Sequence, residues 1–404
     1  MNLFIYKPND FFARCIPLCY VMGAIPKEAT DPNLKARIGY RVYSVILLGS
    51  ALFFNSATFY KLFEMIIRRD YVEKIITNYM LASLHLAGII KSLMTKSKKG
   101  GWLLSRMIEF EKKVYKSNDK HILTLYRRNI QAFRSLSGWY FVGIVIVVAC
   151  YASSSIFRPK EFMIHGNETI EVKQVPMMII SPFDQHDQHM AAFFWSTCTG
   201  GFLAIYFVTG DLMCFGFTIF AFCQIDILKY FIENFSKKSQ EIQNYHRCEP
   251  GHAFRIVQRE CIIMHQDIIR YVEELNASMK YLMLVDFLPG SIQIASLLYQ
   301  LMNNLNAIQI VLLGIFIITL IIRLHIYCNN ANKITLESEM IGDIWYQSDW
   351  TEMPLDVQRN MMICIARTQK PLTITVADFQ NASLATFVAI MKATYTYMMF
   401  LTTF

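Results

Sequence analysis

Residues 190–225 read MAAFFWSTCTGGFLAIYFVTGDLMCFGFTIFAFCQI, 36 positions whose sole charge is Asp211. As one helix this stretch is roughly 54 Å long, well beyond the ~30 Å hydrocarbon core of a bilayer. It must tilt, bend near Gly200-Gly201 or project from the membrane. The whole chain shares its character: of 404 residues 54% are apolar and 17% charged, with 30 Phe, 22 Met, 21 Tyr and a mean hydropathy of +0.31. A soluble domain is about one quarter charged, and surface-to-volume geometry leaves too little interior for so many apolar side chains. The same numbers exclude a disordered or fibrous chain. An open sheet edge has no partner in lipid. The expected fold is therefore an all-α integral membrane protein.

Six further stretches approach the roughly 20 apolar residues that a crossing needs. They are 42–60, 71–90, 135–157, 281–302, 305–322 and 380–403. The stretch 71–90 is weakened by Glu73, Lys74 and His85, and 281–302 carries Asp286 and a kink expected at Pro289-Gly290. Seven transmembrane helices result. Their orientation follows from the bias of Lys and Arg toward the cytoplasm. Segments 1–41, 91–128, 229–270 and 323–370 fall on one side and hold 29 basic residues, whereas the opposite side holds 6. The N-terminus is expected inside and the C-terminus outside, the reverse of a G-protein-coupled receptor. The net charge of +8 thus reports topology, and no nucleic-acid partner is implied. The sequon at Asn167 lies in the loop 158–189, on the external side, and is the expected glycosylation site.

The layout divides the chain into regions. Residues 1–41 are a cytoplasmic segment with no recognisable secretory signal, and 42–225 hold the first four spans. Residues 226–280 are cytoplasmic, 281–325 hold spans five and six, 326–372 are cytoplasmic again, and 373–404 form the last helix. The cytoplasmic parts are patterned. Val257, Cys261, Met264, Ile268, Val272 and Leu275 recur at helical spacing, as do Ile225, Leu228, Ile232 and Phe235. Such stripes imply helices packed into an anchor bundle below the membrane, or else helices lying on its surface.

Chemistry-bearing motifs are few. GxSxG, HExxH, GxGxxG and GxxxxGK[ST] are all absent, so no enzyme is indicated. The ten cysteines form no CxxC pair and none falls in 158–189, so neither a disulfide framework nor a zinc ribbon is expected. No cofactor is called for. The polar run Asp184-Gln185-His186-Asp187-Gln188-His189 reads as solvated side chains with Asp184 or Asp187 capping the following helix, in preference to a metal site. Asp211 and Asp286 stand in apolar spans, where carboxylates are functional candidates and would suit a proton-coupled transporter. In the last span Ala389, Ala393, Thr396, Phe400 and Phe404 form a stripe, with Thr403 alongside and Lys392 nearby. That stripe is either a packing face or the wall of a wet vestibule closing on an aromatic constriction.

The ordered set Tyr346-Gln347-Ser348-Asp349-Trp350, Arg367-Thr368-Gln369-Lys370-Pro371, Phe379, Ser383-Leu384, Phe387 and Lys392-Ala393-Thr394-Tyr395-Thr396-Tyr397 resembles the insect odorant receptor family. The resemblance covers roughly the last 60 residues. It implies a tetrameric, odorant-gated, non-selective cation channel in the plasma membrane of a sensory dendrite. It also implies a pore lined by the last helix, placing the constriction at Phe400 with Thr403 and Phe404 toward the exit. The implied ligand pocket lies in the outer half of the subunit. Chosen by depth, Tyr79, Val147, Tyr151, Phe194, Cys198 and Tyr299 are its candidate walls. The segment 226–278 is shorter than the corresponding insert of the family's shared co-receptor, so the chain resembles a ligand-tuning subunit that assembles with that co-receptor. A near match to the related gustatory receptors fails at Thr403, where they carry glutamine. The topology predicts that an N-terminal epitope is labelled only after permeabilisation and a C-terminal epitope on intact cells. N-terminal labelling of intact cells overturns the orientation.

Overall fold

The structure, a computed structural model, describes residues 10–25, 34–70, 72–117, 119–157, 161–165, 168–173, 175–184, 187–303 and 307–403. The helices are α1 (Ile16–Val21), α2 (Leu34–Arg68), α3 (Val72–Lys96), α4 (Lys98–Ser117), α5 (Lys120–Phe157) and α6 (His189–Glu233). They continue with α7 (Phe235–His246), α8 (Pro250–Asn303), α9 (Ala307–Gln347), α10 (Leu355–Thr368) and α11 (Leu384–Thr403). Two short antiparallel hairpins interrupt the helical pattern: β1 (Glu161–His165) with β2 (Glu168–Val172), and β3 (Thr375–Val376) with β4 (Gln380–Asn381).

The helices overrun the apolar windows of the sequence. At 45 and 54 residues, α6 and α8 are roughly 68 and 81 Å long. A hydropathy window stops where polarity begins, but the backbone ladder continues as long as one face finds a packing partner. Thus α8 continues unbroken through Pro289, and α6, α8 and α9 carry the chain directly from apolar to polar surroundings. Helices α2, α5, α6, α8 and α9 are long and apolar enough to cross a membrane. In α3 the polar Asn78, His85 and Lys91 dilute the apolar run, and α11 offers only the shorter stretch Leu384–Phe400.

Helix α6 is the axis. Its most apolar window is 83% buried, against 22% in α2 and 11% in α5. It packs on α3, α5, α8 and α9. By contrast α2 exposes Val42, Val45, Ile46, Phe53 and Phe63, and α5 exposes Trp139, Val142, Val145 and Ile146. Continuous apolar faces of this kind belong against lipid. The N-terminal segment enters the core from the side: Phe11 and Phe12 are fully buried, Phe11 stacking on Phe133 at 5.2 Å and Phe12 meeting Phe217 edge-on at 5.9 Å. A Cβ at Gly216 would lie 2.2 Å from the Phe12 ring, so only glycine leaves room for this wedge. Glu111 on α4 accepts from the Asp10 N–H (2.8 Å) and the Tyr126 hydroxyl (2.5 Å), and burial raises its pKa above the usual carboxylate range.

The patterned polar segments do pack together. Val257, Cys261, Ile268, Val272 and Leu275 are buried, as are Ile225, Leu228, Ile232 and Phe235. Helix α10 closes this second bundle against α8 and α9. Arg255 Nε lies 2.6 Å from Asp356 Oδ2, and the Gln258 amide donates to the Val357 carbonyl at 2.7 Å.

Five helices meet at a buried charge cluster. Lys91 on α3 sets its Nζ 2.5 Å from Asp211 Oδ1 on α6 and 3.0 Å from Asp286 Oδ2 on α8. Arg323 on α9 reaches Asp211 Oδ2 through Nε at 3.0 Å and pairs with Asp286 through Nη2. Tyr327 donates to Asp211 Oδ1 at 2.7 Å, and Tyr140 on α5 donates to Oδ2. Asp211 therefore accepts from four donors, the full capacity of a carboxylate. All four charged side chains are 5% exposed or less and the set is electrically neutral. The Phe207 ring lies 4.9 Å from the Lys91 ammonium and 4.8 Å from the Arg323 guanidinium, adding cation–π attraction in a dry site.

Two glycines bring the partners together. A Cβ at Gly88 would lie 2.6 Å from the Phe207 Cα, and one at Gly210 would lie 2.7 Å from the Lys91 Cβ. Helices α3 and α6 therefore approach more closely than larger residues allow. Gly88→Val should lower the melting temperature of the detergent-solubilised protein, since backbone cannot retreat as a side chain can. Overpacking of this sort costs about 1–3 kcal/mol. Lys91→Met leaves two carboxylates facing one cation and should cost about 3–5 kcal/mol. Adding Asp286→Leu restores neutrality and should recover part of that loss. Strictly additive effects of the two substitutions on melting would overturn the coupling.

Candidate functional site

Above the charge cluster lies a cavity of about 80 Å³ between α3, α5, α6 and α9. Its walls are mainly apolar: Leu81 and Leu84 of α3, Ile144, Val147 and Val148 of α5, Ala204 of α6, and Phe316 and Leu320 of α9. At Gly200 and Gly201 the wall of α6 has no side chain at all, which makes room. Besides Arg323, the polar side chains in its lining are His85, Tyr151, Ser196, Thr197 and Thr319. Ser196 is fully engaged: its Oγ accepts from the Met177 N–H at 2.7 Å and donates to the Met177 carbonyl at 2.8 Å. That clamp holds Pro176 and Met177 across one end of the cavity. Phe207 and Arg323 form the opposite end, so the floor of the cavity is also the edge of the charge cluster.

An apolar cavity with few polar atoms suits a small molecule of matching character. The structure places Val147 and Tyr151 in its wall. Tyr79 and Tyr299 lie on α3 and α8 away from the lining, and Phe194 and Cys198 are exposed on α6 and outside it. Depth along a helix can be read from sequence, but rotation cannot. His85, Phe316, Thr319 and the glycine pair reach the cavity without having stood out as candidates. His85 had a signal, a polar side chain in the middle of an apolar run.

The carboxylates Asp211 and Asp286 are brought together, along with two cations that a hydropathy reading leaves outside the spans. A proton-coupled transporter needs a carboxylate able to exchange its partner, whereas each of these is held by both Lys91 and Arg323. Upstream of α6 the N-cap is Gln188, whose side chain makes no capping hydrogen bond, and the Asp184 carboxylate accepts from the Asp187 N–H at 3.4 Å. Among the described residues no three His, Cys, Asp or Glu side chains converge on a metal-sized space.

Helix α11 packs one side on α8 and α9, burying Thr386 and Thr394. Its other side carries Ala389, Lys392, Thr396 and Phe400, all exposed, with Phe400 62% accessible. Thr403 ends the helix, while Phe404 and Asn167 lie outside the described residues.

Comparison with known proteins agrees with this architecture. The family model described as 7tm Odorant receptor matches residues 71–395. Odorant receptor Or2 of Anopheles gambiae is 26% identical over 183 residues, 45% of this chain and 47% of that one. Odorant receptor 10 of Aedes albopictus is 32% identical over 133 residues, 33% and 36% of the two chains. The alignments thus span less than half the length of these two relatives. Putative odorant receptor 92a of Drosophila melanogaster is 22% identical over 313 residues, 74% of this chain and 72% of that one. The fold is similar to that of the insect olfactory receptor OR5 from Machilis hrabei in complex with eugenol, with a TM-score of 0.73 at 15% identity, covering 98% of this chain and 100% of the other. A lipid-facing helical bundle, an apolar cavity within it and a family match over most of the chain lead to one conclusion: the protein is a multi-pass membrane protein and belongs to the 7tm Odorant receptor family.

Proposed function

We propose that the protein is the ligand-tuning subunit of an odorant-gated, non-selective cation channel. The carrying observation is the face of α11 bearing Ala389, Thr396 and Phe400, exposed while the opposite face is packed. Within a lipid-embedded tetramer completed by the family's co-receptor, this face lines a shared pore narrowing at Phe400, with Thr403 and Phe404 toward the exit. Seven crossings follow from α2, α3, α5, α6, α8, α9 and α11, with the N-terminus inside and the C-terminus outside. The second bundle is then the cytoplasmic anchor, corresponding to 226–280 and 326–372. Asn167 is glycosylated on the outside, and the receptor resides in the plasma membrane of a sensory dendrite.

The small volatile ligand occupies the cavity between α3, α5, α6 and α9. Support comes from its mainly apolar lining and from the complex of the similar Machilis hrabei receptor with eugenol. A ligand opens the channel only if it binds the open arrangement more tightly than the closed one. Helix α9 provides a physical connection. Arg323 borders the cavity, and two residues further on the His325 ring meets Phe387 of α11 edge-on at 5.4 Å. Helix α8 adds another, since Lys280 Nζ lies 2.5 Å from Asp378 Oδ2 in the turn before α11.

Voltage-clamp recording of the chain expressed with the co-receptor tests the reading. Odorant-evoked cation current should persist when second-messenger pathways are blocked; its loss under that blockade favours a metabotropic receptor. Phe400→Ala should raise basal conductance or alter ion permeation at unchanged surface expression. Identical currents in that variant remove Phe400 from the pore.

A further inference from the structure

The cavity contains one polar side chain without a partner. His85 is 95% buried, its Nδ1 has no hydrogen-bond partner among the described residues, and its ring borders the cavity. A buried polar atom left unpaired is costly and calls for an explanation. Apolar packing does not supply one, because a leucine or phenylalanine would fill the same place without the cost.

The remaining polar groups narrow the chemistry. Ser196 is used in both directions by Met177. Thr197 donates to the Phe193 carbonyl at 2.8 Å and Thr319 to the Ile315 carbonyl at 2.8 Å, so each hydroxyl retains only acceptor capacity toward the cavity. For His85 the cheaper tautomer leaves the enclosed Nδ1 as a bare acceptor and places the proton on Nε2, since a buried N–H without a partner is the rarer and more costly defect. With Tyr151 and Arg323 engaged elsewhere, the cavity offers acceptors in an apolar wall, the His85 Nδ1 and the two threonine oxygens. The smallest group that meets the unpaired Nδ1 is a hydroxyl, which donates its hydrogen to it.

We propose that His85 is the polar anchor of this cavity and that it selects small, mostly apolar alcohols or phenols over carbonyl compounds and hydrocarbons of the same size. The inference rests on the cavity being the ligand pocket of the proposed channel. Neither a carbonyl compound nor a hydrocarbon has a proton to give to Nδ1. One neutral hydrogen bond changes affinity by about five- to tenfold in typical cases, so preferences of that size are expected, and not all-or-none selection.

The test is a concentration–response series for a matched alcohol, ketone and hydrocarbon in cells expressing the chain with the co-receptor. Half-maximal concentrations should be about five- to tenfold lower for the alcohol than for the ketone or the hydrocarbon. His85→Phe should remove the alcohol's advantage, bringing the ratio of half-maximal concentrations between ketone and alcohol within that variant close to one. His85→Gln, which keeps a donor and an acceptor, should restore much of it. A third variant, Gly201→Phe, fills the cavity and should abolish responses to all three at normal surface expression. If Gly201→Phe silences the receptor but His85→Phe leaves the alcohol preference intact, the pocket stands and the role of His85 is wrong. If Gly201→Phe changes nothing, the pocket itself is misplaced and this inference fails with it. A wild-type receptor more sensitive to the ketone or hydrocarbon overturns the ligand class.

Discussion

The structure depends on two carboxylates and two cations sharing a dry space at the centre of the bundle. No single helix can carry any of these groups into lipid cheaply, because an isolated charge there lacks both water and partner. Together they are neutral, and Asp211 has a donor for each of its lone pairs. The cluster is therefore less a source of raw stability than a condition on arrangement: α3, α6, α8 and α9 must all be present, and correctly rotated, before any of the charges is tolerable. Breaking up such a set is far more costly than never having had it. Gly88, Gly210 and the Phe207 ring are the local means by which α3 and α6 come close enough to meet that condition.

The location of the cluster matters as much as its chemistry. Arg323 and Phe207 belong both to the charge network and to the floor of the cavity, and Met177 seals the far end through Ser196. A molecule in the cavity thus rests against the one part of the interior where small displacements carry large electrostatic consequences. Interiors of packed helices respond to such displacements by switching between discrete arrangements and not by gradual deformation. This gives an apolar ligand of modest binding energy a route to a large structural effect.

Much of the architecture was legible in the sequence. Apolar runs located the long helices, the stripe from Val257 to Leu275 announced the second bundle, and the ordered residues from Tyr346 to Tyr397 carried the family resemblance. The charge cluster was only half visible. Asp211 and Asp286 stood out against their apolar surroundings, but Lys91 and Arg323 did not, for a physical reason. A window of hydropathy ends at the first charge, so a cation at the margin of a span is counted as part of a loop. Both were included among the basic residues that set the topology; removing them leaves 27 against 6, and the orientation is unaffected. Pocket residues were less legible still. Val147 and Tyr151 share a face with the cavity, whereas Phe194 and Cys198, at similar depth on α6, are exposed. Which face of a lipid-embedded helix turns inward is decided by its neighbours.

The long chain separations within the cluster impose an order on biogenesis. Lys91 is synthesised 120 residues before Asp211 and 195 before Asp286. At about 5–20 residues per second, its ammonium group waits roughly 6–24 s for the first carboxylate. During that interval α3 carries an uncompensated cation, and its polar Asn78 and His85 further weaken its preference for lipid. The helix must remain at the membrane surface or beside the insertion machinery until α6 emerges, and Arg323 then arrives last, to a site already holding both acids. Assembly of this receptor is therefore a late event in its translation, and a chain that stalls before α6 presents the cell with a helix that has no stable place in the bilayer.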